Sequence, residues 1–222
     1  MGDRVAKDAL FDALASVAKS LASGRRAEIV DVLAQGERSV EEIAREIDQS
    51  VANTSHHLRS LAAAGLVRTR REGTRVIYGL AGERVGQLWA AVRDVAAEHV
   101  PRLGQLVAAY LGERDALQAV TRGELARRLR HGDVTVIDVR PQREFTAGHI
   151  TGARSVPVAE LARHIRSLPK SGEVVAYCRG PYCVYADDAV RELSRRGFRA
   201  RRLEDGYPEW KRDGRPVAVG EN

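Results

Sequence analysis

Cys178 and Cys183 are the only two cysteines among 222 residues, and four residues separate them. Cys178 ends the apolar run Val174-Val175-Ala176-Tyr177. The tight segment Arg179-Gly180-Pro181-Tyr182 follows, and Cys183 opens a helix-like stretch through Val184-Tyr185-Ala186-Asp187. A strand that delivers a thiol into a loop capped by a helix N-terminus favours a thiolate, because backbone N–H groups and the helix dipole stabilise negative charge there. Two cysteines cannot build a disulfide framework. In a reducing compartment a close pair is more often redox-active or metal-binding than structural. The spacing therefore predicts a loop that does sulfur chemistry through Cys178.

The elements that must hold this loop alternate between strand and helix. Thr121-Arg122-Gly123-Glu124 is an imperfect cap for a helix through Arg130, and His131-Gly132-Asp133 turns into the strand Val134–Asp138. Further elements are expected at 152–156, 159–167, 173–177, 183–195, 200–203 and 207–212. This order predicts an α/β domain with a mainly parallel sheet. Reactive loops in such sheets lie at the carboxyl ends of strands, where Cys178 falls.

Length and charge set the wider frame. The chain is long enough for two domains, and it contains no apolar run near the ~20 residues a membrane span needs. The N-terminus, Met1-Gly2-Asp3-Arg4-Val5-Ala6-Lys7-Asp8, alternates charges and lacks a signal-peptide core. A soluble, cytoplasmic protein with no membrane partner is expected. The net charge of +6 points to a nucleic-acid partner but is unevenly spread. Residues 1–112 hold 15 Lys+Arg and 14 Asp+Glu, so +1, and residues 113–222 hold the remaining 21 and 16, so +5. Within the nearly neutral first part, the stretch 49–71 carries Arg59, Arg68, Arg70 and Arg71 and no acid. Local patches of this kind matter more than net charge for docking on phosphate.

That first part reads as helices over 8–22, 25–33, 39–47 and 51–64. Ser39 and Glu42 form a capping box at the start of the third. Two strands around a Glu-Gly turn follow over 66–80. Two short helices with a tight turn and a basic hairpin make a winged helix-turn-helix, whose second helix would lie in the major groove while the hairpin touches backbone or minor groove. The candidate DNA-binding residues are Ser50, Asn53, Thr54, Ser55, His56, His57 and Arg59 on that helix, with Arg70, Arg71 and Arg75 on the wing. The stretch Thr54-Ser55-His56-His57-Leu58-Arg59-Ser60-Leu61-Ala62-Ala63-Ala64-Gly65-Leu66-Val67 resembles the ArsR/SmtB family of bacterial repressors, over roughly residues 8–112. The resemblance implies a homodimer that pairs through its first and last helices, binds double-stranded operator DNA and is loosened by a ligand.

Many members of that family sense metals through cysteines at the start of the helix that precedes the recognition helix, or through acids and histidines on the last helix. Here 39–47 contains no cysteine, and the last helix offers only Asp94, Glu98 and His99, without paired-histidine spacing. No metal and no cofactor is expected. The apolar stripe over 83–112 is too long to be buried in so small a domain and predicts the dimer seam, with Pro101 kinking or splitting the helix. The expected organisation is a winged helix-turn-helix domain over 1–112, a short charged linker over 113–119 beginning Glu113-Arg114-Asp115, and the α/β domain over 120–222.

Four motifs in order, Ile137-Asp138-Val139-Arg140, Glu144–Ala153, Cys178 and Gly206-Tyr207-Pro208-Glu209-Trp210, resemble the rhodanese (sulfurtransferase) family over about 117–217. The fold class is thus two domains, a mainly-α winged helix-turn-helix followed by an α/β rhodanese-like domain with a mostly parallel sheet. The resemblance implies that Cys178 takes up sulfane sulfur as a persulfide and passes it to a thiol or other nucleophile, so a small sulfur donor or thiol acceptor is a partner. Arg179 is expected to add positive charge beside the sulfur, and Asp138, Arg140, Glu144 and His149 to form a polar network supporting the loop. Cys183 departs from the usual rhodanese loop. It is either a small buried residue in the first helical turn or a resolving thiol that bridges to Cys178. A simple disulfide needs Cα atoms within ~7 Å, and a two-thiol site for a soft metal such as arsenite is a further, less favoured reading. The leading functional expectation is a transcriptional regulator that senses reactive sulfur or oxidant through Cys178. The alternatives are a thiosulfate or persulfide sulfurtransferase that uses the winged helix for dimerisation or DNA localisation, and a protein-docking module with an inert thiol.

Overall fold

In the computed structural model, which describes residues 2–112, 114 and 117–220, the chain divides into two units, 1–99 and 100–222. The first unit contains α1 (Arg4–Leu21), α2 (Gly24–Leu33), β1 (Arg38–Ser39), α3 (Val40–Glu46), α4 (Val51–Ala63), β2 (Val67–Glu72), β3 (Arg75–Leu80) and α5 (Glu83–His99). The capping box forms as expected. The Ser39 hydroxyl accepts the Glu42 N–H while the Glu42 carboxylate accepts the Ser39 N–H, which satisfies two otherwise unpaired amides. Ile29, Val30 and Leu33 of α2 pack with Ile43, Ile47, Leu58 and Leu61 in one buried cluster, fixing α4 against the helix that precedes the turn. The wing is antiparallel, from Val67 opposite Leu80 to Glu72 opposite Arg75, and Gly73 takes a left-handed φ of 59° at its tip. β1 pairs with β3 on its other edge.

The second unit contains α6 (Leu103–Leu111), β4 (Ala119–Val120), α7 (Arg122–His131), β5 (Val134–Asp138), α8 (Gln142–Ala147), β6 (His149–Ile150), β7 (Arg154–Ser155), α9 (Leu161–His164), β8 (Glu173–Cys178), α10 (Tyr185–Arg195), β9 (Arg199–Gly206), α11 (Tyr207–Arg212) and β10 (Val217–Ala218). Five strands form one sheet in the order β4-β9-β8-β5-β7, and every pairing is parallel. β8 is central and covered on both sides, which is why its sequence reads as a continuous apolar run. Its alternate residues serve different layers. Val174, Ala176 and Cys178 join Ile137, Ala189, Val190 and Leu193, whereas Val175 and Tyr177 join Leu125, Phe145 and Trp210.

Three boundaries differ from the sequence expectation. The chain divides at Val100 rather than Gly112, because the helix stops at His99 ahead of Pro101 and α6 belongs to the second unit. The helix expected from residue 183 starts at Tyr185, leaving Cys183 in the loop before it. The helix expected over 159–167 is one turn of α-helix flanked by 3₁₀ turns at Val158–Glu160 and Ile165–Ser167. Of the expected linker, Glu113, Asp115 and Ala116 lie outside the described residues.

Candidate functional site

The register of β8 places Cys178 at the carboxyl edge of the sheet, opposite Gly206 of β9 and after an irregularity that follows Ala176. The Cys178 side chain is buried, and its sulfur is bonded to that of Cys183, with 6.3 Å between the Cα atoms. The loop returns tightly enough for this because the Cys183 N–H donates to the Gly180 carbonyl at 3.2 Å. Gly206 backs the loop closely. A β-carbon there would stand 2.6 Å from the Cys178 carbonyl oxygen and 2.5 Å from the Arg179 carbonyl carbon, so no larger residue fits without moving the loop.

The polar residues expected to support the loop are all buried. Asp138 ends β5 and accepts the Arg140 guanidinium, with a 2.6 Å bond from Nη2 to Oδ2, and Arg140 also donates to the Gly148 carbonyl at 2.7 Å. The guanidinium lies over the rings of Tyr177 and Tyr207, 5.7 and 4.5 Å from their centroids. Burial is the largest single influence and lowers the Arg140 pKa, but the charge and hydrogen bonds of Asp138, together with Tyr177 and Glu144, outweigh it and leave Arg140 more basic than usual. Tyr177 is pushed well above the ordinary phenol range, first by burial and then by Asp138; its hydroxyl oxygen accepts the Ile150 N–H at 3.1 Å. His149 stacks on Phe145 at 3.7 Å, with Nδ1 2.9 Å from the Phe145 carbonyl. A buried charge lacking such a partner would cost several kcal/mol.

Arg179 corrects one expectation. Its guanidinium is held in a forked pair by the buried Glu144 carboxylate, with Nη2 2.6 Å from Oε1, and it lies over the Tyr185 ring. Its charge is committed to Glu144, joining the loop to α8. Sequence reasoning misses three further residues. Arg114 donates to the carbonyls of Pro181 and Cys183 and to the carboxylate of Asp187, and Arg202 lies 3.6 Å from the other Asp187 oxygen. The linker composition signals charge at Arg114 but not its destination.

On the winged helix, Asn53, His56 and Arg59 are exposed, and Ser55 is half-buried. Ser50 is exposed but serves as the cap of α4, its hydroxyl accepting the Asn53 N–H at 3.2 Å. Thr54 corrects a second expectation. It is fully buried, with its hydroxyl donating to the Ser50 carbonyl at 2.9 Å, so it is a core residue and cannot read bases. His57 is half-buried, and burial followed by neighbouring His56 lowers its pKa. Arg70 is half exposed on the wing, where its guanidinium pairs with Glu37 at 2.7 Å and Glu72 at 2.8 Å. Arg71 and Arg75 are exposed on the wing. Among the described residues, no three His, Cys, Asp or Glu side chains gather as metal ligands, and no helix is long and apolar enough to cross a membrane.

Residues 23–69 match the family model described as bacterial regulatory protein, arsR family, and residues 121–213 match the rhodanese-like domain. An HTH-type transcriptional regulator of Mycobacterium tuberculosis, Rv0324, is 48% identical over 96% of this chain and 94% of its own. A sulfurtransferase of Allochromatium vinosum is 31% identical over 40% of this chain and 82% of its own. Among solved structures, the homodimeric winged helix-turn-helix DNA-binding domain of Mb0332 from Mycobacterium bovis is 49% identical. It covers 46% of this chain and 93% of its own, with a TM-score of 0.43.

Proposed function

Because the chain belongs to the arsR family of bacterial regulatory proteins and joins its winged helix to a rhodanese-like domain, we propose that this DNA-binding transcriptional regulator takes its signal as reactive sulfur or oxidant at Cys178. The observation that carries the reading is the pairing of the chain's only two cysteines at the carboxyl edge of β8. The DNA-binding unit, by contrast, contains none.

The chemistry needs no external oxidant once a sulfane donor is present. The Cys178 thiolate attacks the donor's sulfane sulfur, forming a Cys178 persulfide and releasing the donor's leaving group, sulfite in the case of thiosulfate. The Cys183 thiolate then attacks the Cys178 sulfur. The Cys178–Cys183 bond forms, the persulfide bond breaks, and hydrosulfide leaves with the electron pair. Cys183 thus serves as the resolving thiol, and the bridged loop is the product. Peroxide reaches the same bridge through a Cys178 sulfenate, with water as the leaving group.

The regulator acts as a homodimer. α1 buries none of its residues within its own unit, and Phe11 and Leu14 remain 59% and 61% exposed. Leu88, Val92 and Val95 of α5 are exposed as well. An apolar stripe of this extent is covered by a second copy. A coupling of ~1–3 kcal/mol between loop and operator suffices for a 5–150-fold change in affinity. The test compares operator binding by reduced and polysulfide-treated protein, for wild type and Cys178→Ser. Treatment is expected to shift the wild type at least fivefold and to leave the variant unchanged, and equal affinities in all four would end the sensing reading.

The similarity to a sulfurtransferase over the second unit favours one alternative. On that reading the domain turns over thiosulfate or a persulfide donor, the winged helix serves for dimerisation or DNA localisation, and Cys178→Ser abolishes turnover without changing DNA affinity.

A further inference from the structure

Arg114 is the third residue beyond the end of α6, yet its guanidinium is inserted against the reactive loop. Nε is 2.5 Å from Asp187 Oδ2, Nη1 is 2.7 Å from the Pro181 carbonyl and Nη2 is 3.1 Å from the Cys183 carbonyl. One side chain, 18% exposed, thereby closes three bonds within 181–187, the second half of the loop and the first turn of α10. Asp187 is 1% exposed, and its first-turn position on α10 suits a carboxylate. Its other oxygen, Oδ1, lies 3.6 Å from Arg202 Nε, and neither of those two atoms has a hydrogen-bond partner among the described residues. Two guanidiniums therefore share one buried carboxylate, and only Arg114 holds it by hydrogen bonding. Burial and then Arg114 lower the Arg202 pKa, as expected for two cations in competition. Arg114 also donates to the carbonyls of Pro181 and Cys183. The Cys183 carbonyl belongs to the residue whose sulfur is tied to Cys178.

We propose that Arg114 is the positioning residue through which the connection leaving α6 reads the Cys178–Cys183 pair. Bridged, the loop presents the Pro181 and Cys183 carbonyls at the spacing one guanidinium spans, and Arg114 is held. Opened, or lengthened by an inserted sulfur, the loop withdraws the Cys183 carbonyl. Asp187 then passes to Arg202 and Arg114 is released. Opening is a two-electron reduction: a dithiol reductant breaks the Cys178–Cys183 bond, each cysteine sulfur takes a proton, and the reductant leaves as its own disulfide. This is a local electrostatic exchange with two discrete arrangements, the kind of element that passes a chemical state along a chain. It rests on the sensing reading above, because it supplies that reading's route out of the loop.

The test uses the full chain as wild type, Arg114→Gln and Arg114→Lys. The first measurement is the equilibrium constant for bridge formation against glutathione. Bonds made only to the bridged loop favour bridging, so Arg114→Gln is expected to lower the constant about tenfold, within the usual range of a coupling between sites. Lys keeps the charge but cannot span three acceptors and is expected to fall between the two. The second measurement is hydrogen exchange at the Leu117 amide, which donates to the Arg114 carbonyl at 2.8 Å. It is expected to exchange more slowly in bridged than in reduced wild type, and at one rate in both states of Arg114→Gln. An unchanged bridging constant, or a Leu117 rate insensitive to the bridge in wild type, overturns the proposal. If Arg114→Gln fails to fold, Arg114→Lys carries both measurements. Neither involves DNA. A wild type whose operator affinity ignores the bridge therefore defeats the sensing reading and leaves the Arg114 result to stand or fall alone.

Discussion

His57 shows how one residue type serves two demands within a single helix. His56 and His57 are adjacent on α4, and their rings meet edge to face at 5.9 Å. His56 faces solvent, whereas His57 turns partly inward, and its Nδ1 has no hydrogen-bond partner among the described residues. Burial, then the charge of His56, then Arg26 and Arg25 lower its pKa below the ordinary 6.5 of a histidine. The folded unit therefore prefers neutral His57. Well above pH 6.5 the ring is neutral in both the folded and the unfolded chain, and no penalty arises. As pH falls through about 6.5 the unfolded chain takes the proton first, so stability drops, and it levels only once the folded ring protonates as well. The urea midpoint of the wild type is expected to fall between about pH 7.5 and about pH 5.5 by more than that of His57→Gln, since that window brackets the unfolded pKa. Equal falls would mean that the ring titrates alike in both states. Carboxylate titration lowers both proteins together, so the difference between them isolates the imidazole.

At the scale of elements, legibility follows length and locality. The capping box at Ser39 is written in four consecutive residues, and β8 in a five-residue apolar run, so the sequence by itself reveals both. Loss of the Ser39 hydroxyl in Ser39→Ala is expected to cost about 1 kcal/mol, the usual effect of removing an N-cap. The loss would appear as a lower urea midpoint with unchanged slope, and an unchanged midpoint would show that the Glu42 half of the box suffices. β1, β4, β6, β7 and β10 are two residues each, too short to show any period, and most of them escape a reading by pattern. Thr54 and Arg179 mislead for a different reason. Their residue types suit DNA or sulfur, and only the tertiary fold reveals that the Ser50 carbonyl and Glu144 already occupy them. Arg114 is the converse, a linker charge whose acceptors lie 67, 69 and 73 residues away in sequence.

For the whole molecule, charge and sulfur are distributed differently. The net charge is concentrated after residue 112, yet the arginines proposed to meet phosphate, Arg59, Arg70, Arg71 and Arg75, all belong to the first unit, and both cysteines belong to the second. Each phosphate neutralised contributes about −0.9 to the slope of log affinity against log salt, so the slope counts contacts whatever the total charge. Residues 1–99 alone are therefore expected to bind operator with the slope of the full chain, to within about 1, and to show no response to polysulfide. A slope shallower by more than that would place phosphate contacts on the second unit, whose excess of basic residues would then serve docking as well as solubility. A retained polysulfide response would remove the cysteines from the signal altogether, since none lies within residues 1–99. Matched slopes with a lost response would assign recognition to the winged helix and reception to the loop, leaving the segment around Pro101 and Arg114 as the covalent route between them.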